Sequence, residues 1–313
     1  MDDNNEKNTI EPQQFLRIMV IHWNEIYKIC SQLGSQWVFR GQSDSNWHLS
    51  SSLERLFLQC DTPYHLISTF EQEMIRQFQR TAHLYLNNLP STENVTEWLA
   101  LMQHHGAPTR LVDFTHSFYF ASFFACEEVT MNAAIWCLNL KKIYKNQGLY
   151  DSIISNNLFF EETYPYHIKP DYSKTRTTPG LVVIEPEIQN ERLHIQQGLF
   201  LCPRDFAISL IEELSHMTQI PVSDFNDSQK GPEYLDQNRL PNLDDYYVIK
   251  IEVDKIVQKN VLNELNKMNI SSATLFPGLD GFARSLKIYA NPNLDVFNYL
   301  AETKFPWKLR KSI

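Results

Sequence analysis

The chain opens on a polar, acidic stretch, MDDNNEKNTIEPQQ, and apolar positions then begin to recur at helical intervals. Phe15, Ile18, Met19, Ile26, Ile29 and Leu33 share one face at this spacing and predict a helix over 12–33, stopped at Gly34. His22 interrupts the stripe and reads as a histidine satisfied at the edge of the core. WVFR, at 37–40, is a short aromatic and β-branched run and predicts a strand. Helices are expected over 62–87 and 95–105, with Pro90 and Ser91 between them, and a brief strand over 111–114. SFYFASFFACEE, at 117–128, predicts a buried helix whose small residues Ala121 and Ala125 let it lie close on a sheet.

AAIWCLNL (133–140) and GLVVI (180–184) read as strands, and 144–178, with little periodicity, as a long excursion between them. LHIQQGLFLC (193–202) reads as two short extended segments meeting at Gly198. A helix over 205–217 and a surface loop over 221–243 follow. YYVIKIEV (246–253) alternates and is rich in β-branched residues, so a strand is expected. Asp254 can cap the next helix. That helix runs to 269 with Ile256, Val261, Leu262, Leu265 and Met268 as its apolar face, and another helical piece covers 279–288. The irregular alternation of strands and helices argues an α+β class, a mixed and mostly antiparallel sheet flanked by helices. One domain over 15–313 behind a polar tail at 1–14 is the expected organisation.

Composition narrows the classes. Of 313 residues 43% are hydrophobic and 12% aromatic, enough for a sizeable core. A formal net charge of -9 argues against a global grip on nucleic acid or anionic lipid and leaves room for a local basic pocket, so local nucleic-acid contact stays open. Only nine glycines occur, with neither G-x-x-x-x-G-K nor G-x-G-x-x-G, which counts against P-loop and dinucleotide-binding doubly wound readings. The five cysteines are widely spaced without a C-x-x-C, and read as reduced core thiols of a cytoplasmic protein with no metal site. The start lacks the features of a signal peptide, and no apolar window approaches the ~18 residues of a membrane span.

Four stretches carry candidate chemistry. In WVFRGQSDSNWHL, Arg40 ends an apolar strand beside Gly41, which permits close approach of a ligand or of backbone. Its guanidinium matches a phosphate or a carboxylate, and the carboxylate could equally be a structural one, Glu54, Glu71 or Glu73. HHGAPTRLVDFTHS gathers His104, His105, Thr109, Arg110, Asp113, Thr115 and His116 beside a very apolar helix, either as a site or as a polar lock of the fold. His104 or His105 with Asp113 could form a general base, although no nucleophile elbow accompanies them. In QQGLF, Gln196 and Gln197 could orient a water or a ribose hydroxyl, or simply satisfy a sheet edge at a bulge. In LFPGLDGFARSL, Asp280 and Arg284 are spaced for a pair on one helical face.

WVFRGQ, HHGAPTRLVDFT with FASFFAC, QQGLF and TLFPGLDGFARSL, in this order over 36–286, resemble the FRG domain family. Its Phe-Arg-Gly triplet is Phe39, Arg40 and Gly41 here. That resemblance implies a bacterial or phage-associated protein. Phe39-Arg40-Gly41, then Asp113-Phe114-Thr115 before ASFFA, then Gln196-Gln197-Gly198, is also similar to ADP-ribosyltransferases of the arginine-serine-glutamate type. This second likeness implies NAD as the ligand, a macromolecular acceptor, and an effector in a toxin or phage-defence setting. It gives catalytic roles to Arg40, Thr115, Gln196 and Gln197. Arg40 would hold the NAD phosphates, Thr115 would brace its strand, and Phe39, Phe114 or Phe200 would stack on nicotinamide. Gly41, Gln42, His105, Thr109, Arg110, Asp113 and Gly198 would complete the ligand-binding set. The QQG stretch has no glutamate, the nearest upstream being Glu191. The alternative implied is a module that binds a nucleotide or phosphate-bearing ligand without cleaving it.

Overall fold

The computed structural model describes residues 15–128, 130–146, 180–186, 189–204, 208–226, 231–235 and 240–287. Its centre is an eight-stranded sheet in the order β5-β6-β3-β2-β4-β8-β1-β7. The strands are β1 (Phe15–Val20), β2 (Trp37–Gln42), β3 (Val112–Thr115), β4 (Ala133–Asn139), β5 (Leu181–Ile184), β6 (Gly198–Pro203), β7 (Glu233–Tyr234) and β8 (Val248–Val253). β1 runs parallel to both of its neighbours, β8 and β7, and all other pairs are antiparallel. The fold is α+β with a mixed, mostly antiparallel sheet, as the sequence led us to expect.

Helices cover both faces. On one face lie α1 (Trp23–Cys30), α5 (Phe118–Cys126) and α10 (Lys255–Lys267), whose apolar residues pack with Leu16, Ile18, Val20, Trp37, Phe39, Ile135 and Ile251. On the other, α6 (Leu140–Asn146), α8 (Leu210–Thr218) and α9 (Val222–Asn226) pack with Val38, Phe114, Trp136, Leu138, Leu199 and Leu201. A further cluster joins α3 (Ile67–Ala82) and α4 (Val95–His104) to the β5–β6 end through Ile75, Trp98, Leu99, Met102, Val182 and Phe200. With both faces covered, β4 and β8 are buried along their whole length. The polar positions of YYVIKIEV therefore do not face water. Glu252 pairs with Arg17 across the parallel β1–β8 ladder, and Lys250 lies over the Trp136 ring at 4.9 Å.

The fold departs from the sequence expectation at four places. Residues 15–20, expected as the first turns of a helix, form β1: Leu16, Ile18 and Val20 point together into the core, and Phe15 to Val20 pair in register with Val248 to Val253. Only Trp23–Cys30 is helical there, and the Glu25 carboxylate accepts from the His22 N–H at 2.9 Å. α2 (Ser52–Gln59) was not expected. Ser51 and Glu54 cap its start reciprocally, a pattern visible as S-x-x-E. LHIQQGLFLC is not two extended segments: α7 (Glu191–Ile195) precedes β6, with Asn190 accepting from Leu193 N–H, and Gln197 at φ 47° turns the chain into the strand. The 221–243 loop contains α9 and the two-residue β7. Most of the 144–178 excursion lies outside the described residues. All five cysteines are free thiols, and among the described residues no helix is long and apolar enough to cross a membrane.

Candidate functional site

The FRG triplet has an alternating logic. On β2, Trp37, Phe39 and Gly41 face α5, while Val38, Arg40 and Gln42 point to the opposite side of the pleat. Phe39 is buried edge-on against Phe118, ring centroids 5.3 Å apart. Any Cβ on Gly41 would overlap the Ala121 carbonyl and the Ala125 N–H of α5. The triplet glycine and the two small residues of the helix thus form one close contact, and glycine is required at 41 by packing.

Arg40 sits where the sheet opens. β2 and β3 share a single register pair, Phe39↔Thr115, whereas β2 and β4 stay paired through Gln42. Past that pair the Arg40 side chain does what a main-chain donor would do. Its Nη1 donates to the Asp113 carbonyl at 2.7 Å and lies 3.6 Å from Asp113 Oδ2. Nε is buried without a partner, and Nη2 makes no hydrogen bond among the described residues. Burial pulls the guanidinium below its ordinary pKa, and Asp113 pushes it back up. Glu54, Glu71 and Glu73 are engaged elsewhere, by Tyr64 and the Ser51 N–H, by Arg110, and by Gln77 and Arg76 respectively.

A cleft of about 760 Å³ opens beside Arg40. Gly41, Gln42, Trp47, Ser50 and Arg55 of the β2–α2 segment form one wall. Phe124, Glu127 and Glu128, at the end of α5, form a second, and Arg192 of α7 with Phe276 and Arg284 closes the third. Four arginines thus face two glutamates in a chain of net charge -9. Trp47, 55% exposed, offers an apolar face at the rim. Phe276 lies between two guanidinia, Arg192 at 4.7 Å and Arg284 at 4.5 Å from its centroid. Arg284, on α12 (Leu279–Ser285), is paired with Glu127, which also accepts from Ser272 Oγ at 2.8 Å.

The other expected site residues separate into three groups. Gln42 lines the cleft but is committed on both ends of its amide, accepting from Trp136 Nε1 at 2.8 Å and donating to the His48 carbonyl at 3.1 Å. Asp113 stands beside Arg40, exposed, and also accepts from Gln103 Nε2 at 3.0 Å. The remainder do not line the cleft. Thr109 is buried against Gln103 and Ser52. Arg110 is buried in an ion pair with Glu71, the polar lock considered above. Phe200 is buried in the α3–α4 cluster, and Gly198 lies against Leu193. His105 caps the end of α4 with its ring 5.0 Å from that of His104, and neither is hydrogen-bonded to Asp113 among the described residues. Burial, with the neighbouring His105 and Arg192, lowers the His104 pKa.

Thr115 and Gln196 do meet, through framework bonds. Thr115 Oγ1 donates to the Gln196 carbonyl at 2.7 Å and accepts from Ser117 N–H at 3.0 Å. The Gln196 amide donates to the Leu275 carbonyl at 2.9 Å, fixing the end of α11 (Ser272–Leu275) one residue before Phe276. Gln197 is exposed. These bonds place the third wall of the cleft. Sequence reasoning missed Trp47, Arg55, Phe124, Glu127, Glu128, Arg192 and Phe276. It assigned Arg284 to Asp280 on its own helix, whereas its partner comes from α5.

No curated protein and no solved structure matches the chain. Residues 35–133 match the FRG domain. The match contains β2 with its arginine, the loop carrying Trp47, α2 with Arg55, and α5 with Glu127 at its end. Arg192, Phe276 and Arg284 lie beyond it. The match holds the Phe-Arg-Gly triplet, and the close contact of Gly41 with α5 is its structural counterpart; the FRG-domain likeness covers this part of the chain.

Proposed function

We propose that the cleft binds a nucleotide or another phosphate-bearing ligand through Arg40. One observation carries this reading: the guanidinium is anchored at Nη1 while Nε and Nη2 have no protein partner among the described residues, beside a hollow rich in further arginines. A desolvated donor without a partner is unfavourable unless an acceptor completes it, and a phosphate offers two acceptors to one edge of the fork. Trp47 provides a face for a planar base. Thermal unfolding in the presence of NAD or ADP-ribose tests the reading. A rise in melting temperature that Arg40→Ala removes supports it, and no rise with either ligand refutes it.

A second reading, cleavage of bound NAD in the manner of ADP-ribosyltransferases, draws on the carboxylates Glu127 and Glu128 on the cleft wall. Breaking the nicotinamide–ribose bond develops oxocarbenium character, which a carboxylate stabilises. These two glutamates would supply what the QQG stretch lacks, with Arg40 holding the phosphates. An effector acting in a bacterial cytoplasm, in a toxin or phage-defence setting and on a macromolecular acceptor, belongs to this reading. Nicotinamide release followed by chromatography, in the wild type and in Glu127→Gln and Glu128→Gln, tests it. Release that neither substitution slows, or no release in the presence of cell extract, counts against it.

A further inference from the structure

The uncommitted donors of the cleft form a row. Arg55 gives Nη1 to the Ser50 carbonyl at 2.7 Å and is close enough to Arg40 to repel it. Arg40 reaches Asp113, and Asp113 in turn acts on Arg192. Arg192 donates no hydrogen bond among the described residues, and its guanidinium lies over the Phe276 ring, 4.7 Å from the centroid. Arg284, at the end of the row, is already matched by Glu127. Arg55, Arg40 and Arg192 thus line the cleft with free donor edges, and Arg40 and Arg192 share one carboxylate, with Glu127 also acting on Arg192. That carboxylate, Asp113, is exposed and touches Arg40 only at 3.6 Å.

A single phosphate docked on Arg40 presents its remaining oxygens to Arg55 on one wall of the cleft or to Arg192 on another. Two linked phosphates present acceptors in both directions. The contact of Arg192 with Phe276 restrains its guanidinium in advance, which lowers the entropy lost when it takes a charged partner. We propose that Arg55, Arg40 and Arg192 together take a diphosphate group, the linkage found in nucleoside diphosphates and their conjugates, and that Arg192 is the residue that reads the second phosphate. This rests on the reading that the cleft binds phosphate through Arg40.

Calorimetric titration of the full chain with AMP, ADP, inorganic phosphate and inorganic pyrophosphate tests it. ADP should bind about tenfold or more tightly than AMP, the scale of one additional charged hydrogen-bonded contact, and pyrophosphate should exceed phosphate likewise. Arg192→Ala should erase this preference while leaving AMP affinity within about twofold, and Arg192→Lys should restore only part of it because a point charge lacks the fork. Arg192 is exposed, and an unchanged unfolding midpoint in Arg192→Ala confirms that the fold is intact. Equal affinity for AMP and ADP in the wild type, or an equal loss of both in Arg192→Ala, overturns the inference and leaves phosphate binding standing. Binding of none of the four probes overturns both.

Discussion

Gly41 lies so close to the Ala121 carbonyl of α5 that a single methyl group on it would overlap that oxygen. The obstacle is helix backbone, which cannot rotate away as a side chain can. Gly41→Ala is therefore expected to destabilise the fold by about 1–3 kcal/mol or more through overpacking. Urea denaturation checks this, and a midpoint equal to wild type would show that α5 can shift freely.

The Arg110–Glu71 pair is buried, with Glu71 also accepting from the Arg110 main-chain N–H at 3.1 Å. Glu71→Ala leaves a buried guanidinium without its carboxylate and should cost about 3–5 kcal/mol. Since neither residue lines the cleft, ligand affinity of the folded protein should stay at the wild-type level. A large loss of affinity without a loss of stability would reverse that assignment.

Thr115 Oγ1 serves two main-chain groups, the Gln196 carbonyl and the Ser117 N–H. Thr115→Val keeps the shape of the side chain and strands both, at an expected cost of about 1–3 kcal/mol. The denaturation midpoint should fall. If the residue has a role in turnover, activity would drop in Thr115→Val with the midpoint unmoved.

Burial against Trp136 brings the Lys250 ammonium down to about 8 from its ordinary value, against the attraction of Glu252. The unfolded chain then holds more protons than the folded one between about pH 8 and 10.5, so the Lys250 contribution to stability rises with pH over that window. Below it the burial penalty is constant and at its largest. Lys250→Met, which leaves the Arg17–Glu252 pair in place, should be more stable than wild type near neutral pH, with the difference narrowing as pH climbs through the window. Denaturation of both proteins at several pH values checks this. A difference that stays flat from pH 7 to about 10.5 would contradict a depressed Lys250.

Much of the fold is legible in the chain because local pattern and final environment agree. SFYFASFFACEE reads as a buried helix and is one, since its small residues meet a glycine in a strand that is equally legible. The β1 segment was not legible. Phe15, Ile18 and Met19 satisfy a helical period, Leu16, Ile18 and Val20 a strand period, and the choice is made by β8, more than two hundred residues later. The candidate site shows the same division. Arg40 announces itself as a charge inside an apolar run. Arg192 sits on a short helix with nothing local to mark it, Arg284 reads in the sequence only as a partner of Asp280, and the Gln196–Leu275 and Arg284–Glu127 contacts help bring them to the cleft.

The bond from Arg40 to the Asp113 carbonyl makes one side chain a rivet across a seam in the sheet, and in the proposed role the same side chain would also be a handle for a guest. A planar group with donors on several edges can do both, since each edge points in its own direction. A lysine carries its three donors on one nitrogen at the end of a flexible stem and lacks the rigid, spread fork that reaches both places. Under that proposal ligand capture and the joining of two strands would be tied to a single residue, and an exchange at 40 made to alter one would disturb the other.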